Sequence, residues 1–474
     1  MDGERVENAN SKPKSFKRIA VRVLTETTEK QKKVSTSRKV FRVIVFLLFT
    51  AGFLYQVIRF LTFLLEYPTV VNIEIRSPDS YISPAISFCN NERIMRSKYC
   101  EKYPQRCEMP DDTFCLQNRD YCGDNQTTLV PKPEYRNASY DPGDVLELSH
   151  DINDLIYEYK YDFEKANETY FLEHSQTVVR RRIFGMNEYS KCFVLYSRVE
   201  SSLDPPILKR NKNFFKYPYY SFIFDPMIYD AFDPIMKDGI YFSIHSPFDV
   251  ANPFEKGYFM KPGRMHKITV SMTEEYLLPP PYKTDCMDYD LMWRNNNKTG
   301  PRSQDACRLK CVADVVTSCC NCTLASHNYP YSNDFPLCSE NQFYACFLRC
   351  APFEKLIAGI QICYESCKEE CYYIKYTVEV QDRYIDLQKE NSTIDTDIKK
   401  IYVDVSIEDT EVMSFSYKPQ YQEVEAFSYI GGFIGIWLGV SLVQVTDFLE
   451  NTFLLIRRCF RKRNPKKAEA FQES

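Results

Sequence analysis

Two long apolar segments constrain this chain most, because each is suited to a membrane although the mean hydropathy of the whole chain is negative. The first covers residues 43–65, which as a helix would reach roughly 35 Å and could cross a hydrocarbon core. The second lies within residues 426–456. The remaining sequence must lie mostly in water, which excludes a polytopic transporter. We therefore predict a protein that crosses the membrane twice.

The charges that flank these segments predict the orientation. Residues 1–42 contain 12 Lys/Arg and 5 Asp/Glu, and residues 457–474 contain 7 and 2. Because basic flanks stay on the cytoplasmic side, both termini are predicted to be cytoplasmic at the plasma membrane, with residues 66–425 outside. The tails carry +7 and +5, so the total of −4 leaves −16 on residues 43–456. That negative charge either enriches cations near the protein or belongs to an ordinary solvated surface.

The cysteines support the same topology, since 18 of the 19 lie between the apolar segments. A dense, even set in an extracellular region is typical of a disulfide framework. The C-x3-C spacing of Cys307 and Cys311 is an alternative zinc pattern, but with five histidines in the chain we predict no metal and no cofactor. Six glycosylation sequons fall in the same region: Asn125, Asn137, Asn167, Asn297, Asn321 and Asn391.

The pattern between the apolar segments predicts one large α+β domain. Four cysteines among Pro, Asp and Asn, at 100, 107, 115 and 122, indicate an irregular stapled lobe. Residues 145–184 show helix-like spacing, which predicts helices on the outer face. Alternating β-branched and aromatic runs predict strands in six places: 66–76, 191–197, 241–250, 263–276, 375–382 and 399–409.

The second apolar segment contains IGGFIGIWLGVSLVQVTDFLE at 430–450, which has more glycines and acids than a plain anchor needs. Small residues recur every four positions at Gly431, Gly435 and Gly439, which allows close helix approach. A polar stripe follows at Ser441, Gln444, Asp447 and Glu450. A carboxylate facing lipid is costly, so this stripe should face protein or water. Either it holds an oligomer of anchors together or it lines a cation pathway, and the four glycines and two acids favour the pathway.

Several motifs, in this order, resemble the degenerin/epithelial sodium channel family, which includes the acid-sensing and peptide-gated channels. They are YPTV after the first apolar segment, SPAISFCN at 83–90, KCFVLYS at 191–197, KPGRMHKI with LLPPPYKTDC, DACRLKC at 305–311, and FSYIGGFIGIWLGVS with VTDFLE. The last is the most specific. The resemblance covers residues 40–456 and implies a membrane α+β fold. Two transmembrane helices would flank a large disulfide-rich, β-containing ectodomain of the palm, finger and thumb type, assembled as a trimer.

The resemblance also implies roles for residues in the second apolar segment. Gly439, Val440 and Ser441 would form the selectivity filter. The gate and degenerin position would comprise Ser428, Gly431 and Gly432, and Asp447 and Glu450 would be the pore acids. Tyr67 and Tyr282 would couple the first span to the ectodomain at the wrist, although interfacial aromatic residues are also common in membrane proteins.

For the cysteines, the resemblance implies a palm disulfide between Cys89 and Cys192 and stacked thumb bridges within 286–371. The thumb cysteines that it identifies include Cys286, Cys307, Cys311, Cys363, Cys367 and Cys371. Twelve cysteines in this region exceed the ten usual for the family, so the pairing is left open. The implied domains are a cytoplasmic segment 1–42, a span 43–65, an ectodomain 66–425, a pre-pore segment and pore helix 426–456, and a cytoplasmic segment 457–474.

The function that the resemblance implies is a subunit of a voltage-insensitive, amiloride-sensitive, sodium-selective channel gated through its ectodomain. Its partners would be Na⁺, membrane lipid, and identical or related subunits in a trimer, with no nucleic acid. The alternatives are an ATP-gated type of trimeric channel and a non-conducting two-pass receptor or adhesion protein. No phosphate loop, nucleophile motif or metal-spaced histidines indicate an enzyme. The family's N-terminal His-Gly pair is missing, since no histidine precedes His150, which leaves open a silent or modulatory subunit.

Overall fold

The structure is a computed structural model, and it divides into two units. The helical unit comprises Met1–Thr69 and Pro419–Ser474, and the disulfide-rich unit comprises Val70–Lys418. The residues that the structure describes are 14–122, 128–136, 138–161, 173–183, 186–209, 218–323, 325, 336–339, 342, 345–346, 353–385, 399–407, 411–439 and 442–463.

Helices and strands alternate irregularly along the chain. The α-helices are α1 Lys14–Leu64, α2 Arg96–Lys102, α3 Asp112–Gln117, α4 Arg119–Cys122, α5 Pro133–Arg136, α6 Pro142–Leu148, α7 Ile152–Leu155, α8 Pro253–Lys256, α9 Tyr289–Asn295, α10 Gln304–Cys320, α11 Phe353–Ser366, α12 Glu423–Leu438 and α13 Leu442–Arg463. The strands are β1 Thr69–Arg76, β2 Ser80–Ile82, β3 Ala85–Asn90, β4 Cys107–Glu108, β5 Val130–Pro131, β6 Ile156–Tyr161, β7 His174–Ile183, β8 Met186–Leu195, β9 Ile207–Lys209, β10 Tyr220–Phe224, β11 Ile240–His245, β12 Tyr258–Met260, β13 Arg264–Tyr276, β14 Tyr372–Tyr384, β15 Ile401–Ile407 and β16 Val412–Pro419.

The helical unit contains one continuous helix suited to a membrane. Residues Ser37–Leu64 of α1 are long and apolar enough to cross it, which agrees with the apolar segment at 43–65. Among the described residues, the segment 426–456 does not form a second continuous spanning helix. It is divided into α12 and α13, because Gly439 adopts a left-handed φ of 62° directly after Leu438. Glycine accepts this conformation without a steric penalty and commonly ends helices.

Two sheets form the centre of the disulfide-rich unit. The seven-stranded sheet has the order β1-β16-β13-β15-β10-β6, with β14 paired to β13, and the five-stranded sheet has the order β12-β11-β3-β8-β7. Strand β13 organises the larger sheet: its whole length pairs with β14, while its two halves pair in parallel with β15 and β16. A buried aromatic cluster lies between the sheets and includes Phe88, Phe193, Phe222, Phe224 and Phe242. The alternating patterns at 263–276 and 399–409 therefore reflect one buried face of a strand.

The prediction of helices over 145–184 is wrong for most of the residues that the structure describes in that range, which are 145–161 and 173–183. Among them, α6 and α7 are the helical segments, and α7 is followed directly by β6 and later by β7. The sequence of β6, IYEYKY, alternates aromatic and charged residues, and it pairs with β10. Strand β7 forms a hairpin with β8, in which Ile183 lies opposite Met186. Pairing with distant strands outweighed the local helical pattern.

Disulfides hold the region 286–371 to the larger sheet and hold its helices together. Two bridges, Cys307–Cys367 and Cys311–Cys363, join α10 to α11 one turn apart. A third bridge joins Cys286 to Cys371 where the chain leaves β13 and re-enters the sheet at β14. Eight disulfides join described cysteines, and the remaining five are Cys89–Cys192, Cys100–Cys107, Cys115–Cys122, Cys320–Cys346 and Cys322–Cys338. The prediction of a disulfide-rich, β-containing domain is thus confirmed.

The buried bridge between β3 and β8 should contribute most to stability. Cys89 and Cys192 lie directly opposite each other and are 103 residues apart in sequence. Because a longer closed loop restricts the unfolded chain more, replacing both residues by alanine should lower the free energy of unfolding by about 4–5 kcal/mol. The matched control replaces Cys100 and Cys107 by alanine. Their bridge links residues 7 apart, so its loss should lower the free energy of unfolding by about 2–3 kcal/mol. Equal decreases in the thermal unfolding midpoint of the purified chain would contradict this ranking.

Candidate pore-lining segment

Helix α12 begins with a defined cap. The backbone N–H of Gln422 donates to the Glu425 carboxylate at 3.1 Å, and the N–H of Ala426 donates to the Gln422 carbonyl at 3.0 Å. The two acids in the first turn, Glu423 and Glu425, also suit the positive end of the helix dipole. The start of the helix at Glu423 is therefore fixed five residues before Ser428.

One face of α12 is aromatic and packs on α1. The ring centroid of Phe60 lies 5.6 Å from Tyr429 and 5.8 Å from Phe433. One turn further, Trp437 lies 5.9 Å from Phe49 in an edge-on contact. Residues 429, 433 and 437 are four apart, so they share one face of the helix. This face determines the rotation of α12 about its own axis.

The glycines of α12 lie on the other side of the helix. A Cβ added to Gly431, Gly432 or Gly435 would meet no atom within 4 Å. Ser428 lies one turn before Gly432; it is exposed and donates to the Val424 carbonyl of its own helix at 2.8 Å. The gate residues predicted from sequence are therefore brought together on a face that α1 leaves open. Sequence spacing predicted a shared helix face for Gly431, Gly435 and Gly439, but only the packing shows which way that face is turned.

The predicted filter begins where α12 ends. Gly439 terminates the helix, its N–H donates to the Gly435 carbonyl at 3.1 Å, and space for a Cβ is open there as well. Val440 and Ser441 lie outside the described residues. Helix α13 starts at Leu442, and its Gln444, Asp447 and Glu450 are exposed.

The other residues predicted from sequence lie elsewhere. Tyr67 follows α1 in the helical unit with a left-handed φ of 50°, and Tyr282 lies in the disulfide-rich unit within the loop that leads from β13 to Cys286. Two sequon asparagines are described: Asn297, which follows α9, and Asn321, which follows α10, and both are exposed. The sequons at 125, 137, 167 and 391 lie outside the described residues.

Sequence analysis missed a polar contact between α1 and α12. The indole N–H of Trp437 donates to the side-chain oxygen of Gln56 at 2.5 Å. The chain contains only two tryptophans, and Gln56 is an amide within the apolar segment 43–65. These two unusual residues could have indicated a polar contact, but no sequence pattern shows that positions so far apart are partners.

Two carboxyl groups in the disulfide-rich unit, of the buried Glu92 and the partly exposed Asp249, have pKa values near neutrality. Burial raises the pKa of Glu92 to about 8, although its Oε2 accepts from the backbone N–H groups of Phe232 and Asp233 at 3.2 and 3.4 Å. Burial, with the charge of Glu370, raises the pKa of Asp249 to about 7. Acidic residues are too numerous in the sequence for either to have been identified without the fold.

The Asp249 site lies beside the start of α10. The Ser303 hydroxyl caps this helix by accepting from the Ala306 N–H at 3.2 Å and donates to the Phe248 carbonyl at 2.8 Å. The Gln304 N–H donates to the Glu370 carboxylate at 3.1 Å. Burial raises the pKa of Glu370 also. Protonation of these acids would therefore change the charge where α10 meets the loop after β11.

Comparison with known proteins agrees with this architecture. The model of the amiloride-sensitive sodium channel family matches residues 24–450. Acid-sensing ion channel 1B of Danio rerio is 22% identical over 447 residues, which cover 89% of this chain and 74% of that protein. Acid-sensing ion channel 1 of Gallus gallus is 20% identical over 411 residues, covering 82% and 74%. A cryo-EM structure of a proton-activated chloride channel covers 88% of this chain and 98% of its own at 8% identity, but its TM-score of 0.29 does not establish a shared fold.

Because the family model matches most of the chain, the class of protein is defined as a membrane ion channel rather than an enzyme. The chain belongs to the amiloride-sensitive sodium channel family. The resemblance inferred from the motifs is thus confirmed, and the ATP-gated alternative is set aside.

The Asp249 carboxyl should make stability depend on pH. Its folded pKa of about 7 exceeds the ordinary value, so the folded state binds more protons between pH 4 and 7, and stability should fall as pH rises through that window. Asp249→Asn, which stays neutral, should reduce the fall in thermal unfolding midpoint of the full chain between pH 5 and pH 8. Asp382→Asn is the control, because Arg264 holds the pKa of Asp382 below its usual value, outside this interval. An unchanged fall in Asp249→Asn would contradict the assignment.

Proposed function

We propose that this chain is a subunit of a sodium-selective, voltage-insensitive, amiloride-sensitive cation channel of the plasma membrane. The observation that carries the proposal is the division of α12 into an aromatic face packed on α1 and an open face of small residues. In a membrane, a helix face without large side chains either approaches another helix or borders water. Family membership favours water and a cation, and the exposed acids of α13 favour the same conclusion.

The pathway would follow from repetition of this face around an axis. Three copies that turn Ser428, Gly432 and Gly435 inward would leave a narrow passage, which ends at the break in the helix at Gly439. Backbone carbonyls released at such a break can replace part of the hydration shell of an ion. Val440 and Ser441 would complete this filter, and Asp447 and Glu450 would attract cations beyond it. The topology that this requires has α12 and α13 together as the second span and both termini in the cytoplasm.

Gating would originate in the disulfide-rich unit, which lies outside the membrane in this topology. Its acids Glu92 and Asp249 titrate near neutral pH, and a stimulus that changes their charge would act on packed elements. The bridges of region 286–371 would transmit such a change as movement of a stiff body. Tyr67 and Tyr282 are proposed to couple that movement to the first span. The trimer would contain identical or related subunits.

The gate position is tested with a cysteine. Ser428→Cys, modified with a bulky cationic thiol reagent in oocytes that express this chain, should raise the amiloride-sensitive Na⁺ current at least threefold, because added bulk on the open face holds the passage open. Tyr429→Cys, the next residue but on the face of α12 that packs on α1, is the matched control and should respond weakly. No current from either variant, with surface expression verified, would contradict a homomeric channel. Co-expression with related subunits would then separate a modulatory subunit from a non-conducting receptor.

A further inference from the structure

The contact between Trp437 and Gln56 occurs two residues before the break in the second segment. The Trp437 N–H donates to Gln56 Oε1 at 2.5 Å, and α12 ends at the next residue, Leu438. In an apolar environment an indole N–H without an acceptor is costly, and Gln56 supplies that acceptor from α1. Interhelical hydrogen bonds of this type contribute on the order of 0.6–1.7 kcal/mol in membranes. The bond is therefore strong enough to select one orientation of the indole.

Gly52 makes room for the same ring. A Cβ placed on Gly52 would lie 2.6 Å from one indole carbon of Trp437 and 2.9 Å from a second, closer than real Cβ atoms come to other atoms. The ring thus lies directly on the backbone of α1, with Gln56 one turn further along and Phe49 against its edge. Three positions on α1, spaced three and four residues apart, form a seat for one side chain.

This seat determines how α12 ends. Trp437 and Gly435 lie on opposite sides of the helix, so holding the indole on α1 keeps the small-residue face turned away from it. The left-handed Gly439, whose N–H reaches back to the Gly435 carbonyl, follows directly. If α12 rotated and moved Trp437 away from α1, this last hydrogen bond and the start of the proposed filter would move as well.

We infer that Gln56 and Gly52 are positioning residues for ion selectivity, which act through Trp437 on the helix end at Gly439. This inference rests on the proposed function, since it assigns α1 a part in the selectivity of the same pathway. Neither Gln56 nor Gly52 needs to touch the ion. Their effect is to fix the one large side chain next to the filter.

The first test measures selectivity in the channel opened through Ser428→Cys. Gln56→Leu removes the acceptor at similar volume, and Trp437→Phe removes the donor and keeps an aromatic ring. Each should lower the Na⁺/K⁺ permeability ratio, taken from reversal potentials, at least threefold. The double variant should match the single variants, because both remove one contact. Gln56→Asn, which keeps an amide, should retain part of the ratio. Tyr55→Phe, on the exposed side of the same turn of α1, is the matched control and should keep the wild-type ratio.

The second test does not require current. Hydrogen exchange of the purified full chain, followed by mass spectrometry over residues 435–439, should be about fivefold faster in Gln56→Leu and in Gly52→Ala than in the wild type or Tyr55→Phe, since the helix end loses its support. Unchanged exchange in both variants, or wild-type selectivity in Gln56→Leu and Trp437→Phe, would overturn the inference. Faster exchange in a chain that never conducts would support the seat and contradict the proposed function instead.

Discussion

The packing of α12 on α1 is the constraint on which the account of this protein depends. Aromatic side chains at 429, 433 and 437 occupy the side of α12 that meets α1, so the small residues are left on the other side. Among the described residues, no atom lies within 4 Å of a Cβ placed on Gly431, Gly432 or Gly435, so this face of α12 is uncovered there. Small residues on such a face allow another helix to approach closely.

The disulfide-rich unit follows a different physical principle. Its two sheets share a core of phenylalanines, while the described residues of region 286–371 include a small apolar cluster around Val312, Val316 and Leu356. Disulfide bridges between α10 and α11 add to the stabilisation that this small core provides, as is common in extracellular domains. The bridge Cys286–Cys371, with hydrogen bonds from Leu277 N–H to the Cys371 carbonyl and from Cys371 N–H to the Met287 carbonyl, attaches the region to β13 and β14.

Helices and strands could be predicted from the sequence where the spacing of apolar residues alone determines the element. All but the last residue of the segment 43–65 lie within α1, and the alternation at 263–276 agrees closely with β13. The prediction was wrong where pairing between strands determines the element. The residues of β6 and β7 also suit helices, but these segments are strands because they pair with β10 and β8. For the site, spacing predicted that Gly431, Gly435 and Gly439 share one helix face, and the resemblance implied the role of Ser428, but the Gln56–Trp437 bond joins positions 381 residues apart. The raised pKa values of Glu92 and Asp249 depend on burial, which no local pattern reports.

The most direct measurement is a cysteine-accessibility scan along residues 428–439 in membranes, which uses a charged, membrane-impermeant thiol reagent on the open channel. If α12 borders a water-filled pathway through its small-residue face, labelling should be fast at 428, 432 and 435 and slow at 429, 433 and 437. Fast labelling on the aromatic face, or uniformly slow labelling at every position, would contradict the account, because the open face would then border lipid or protein rather than ions.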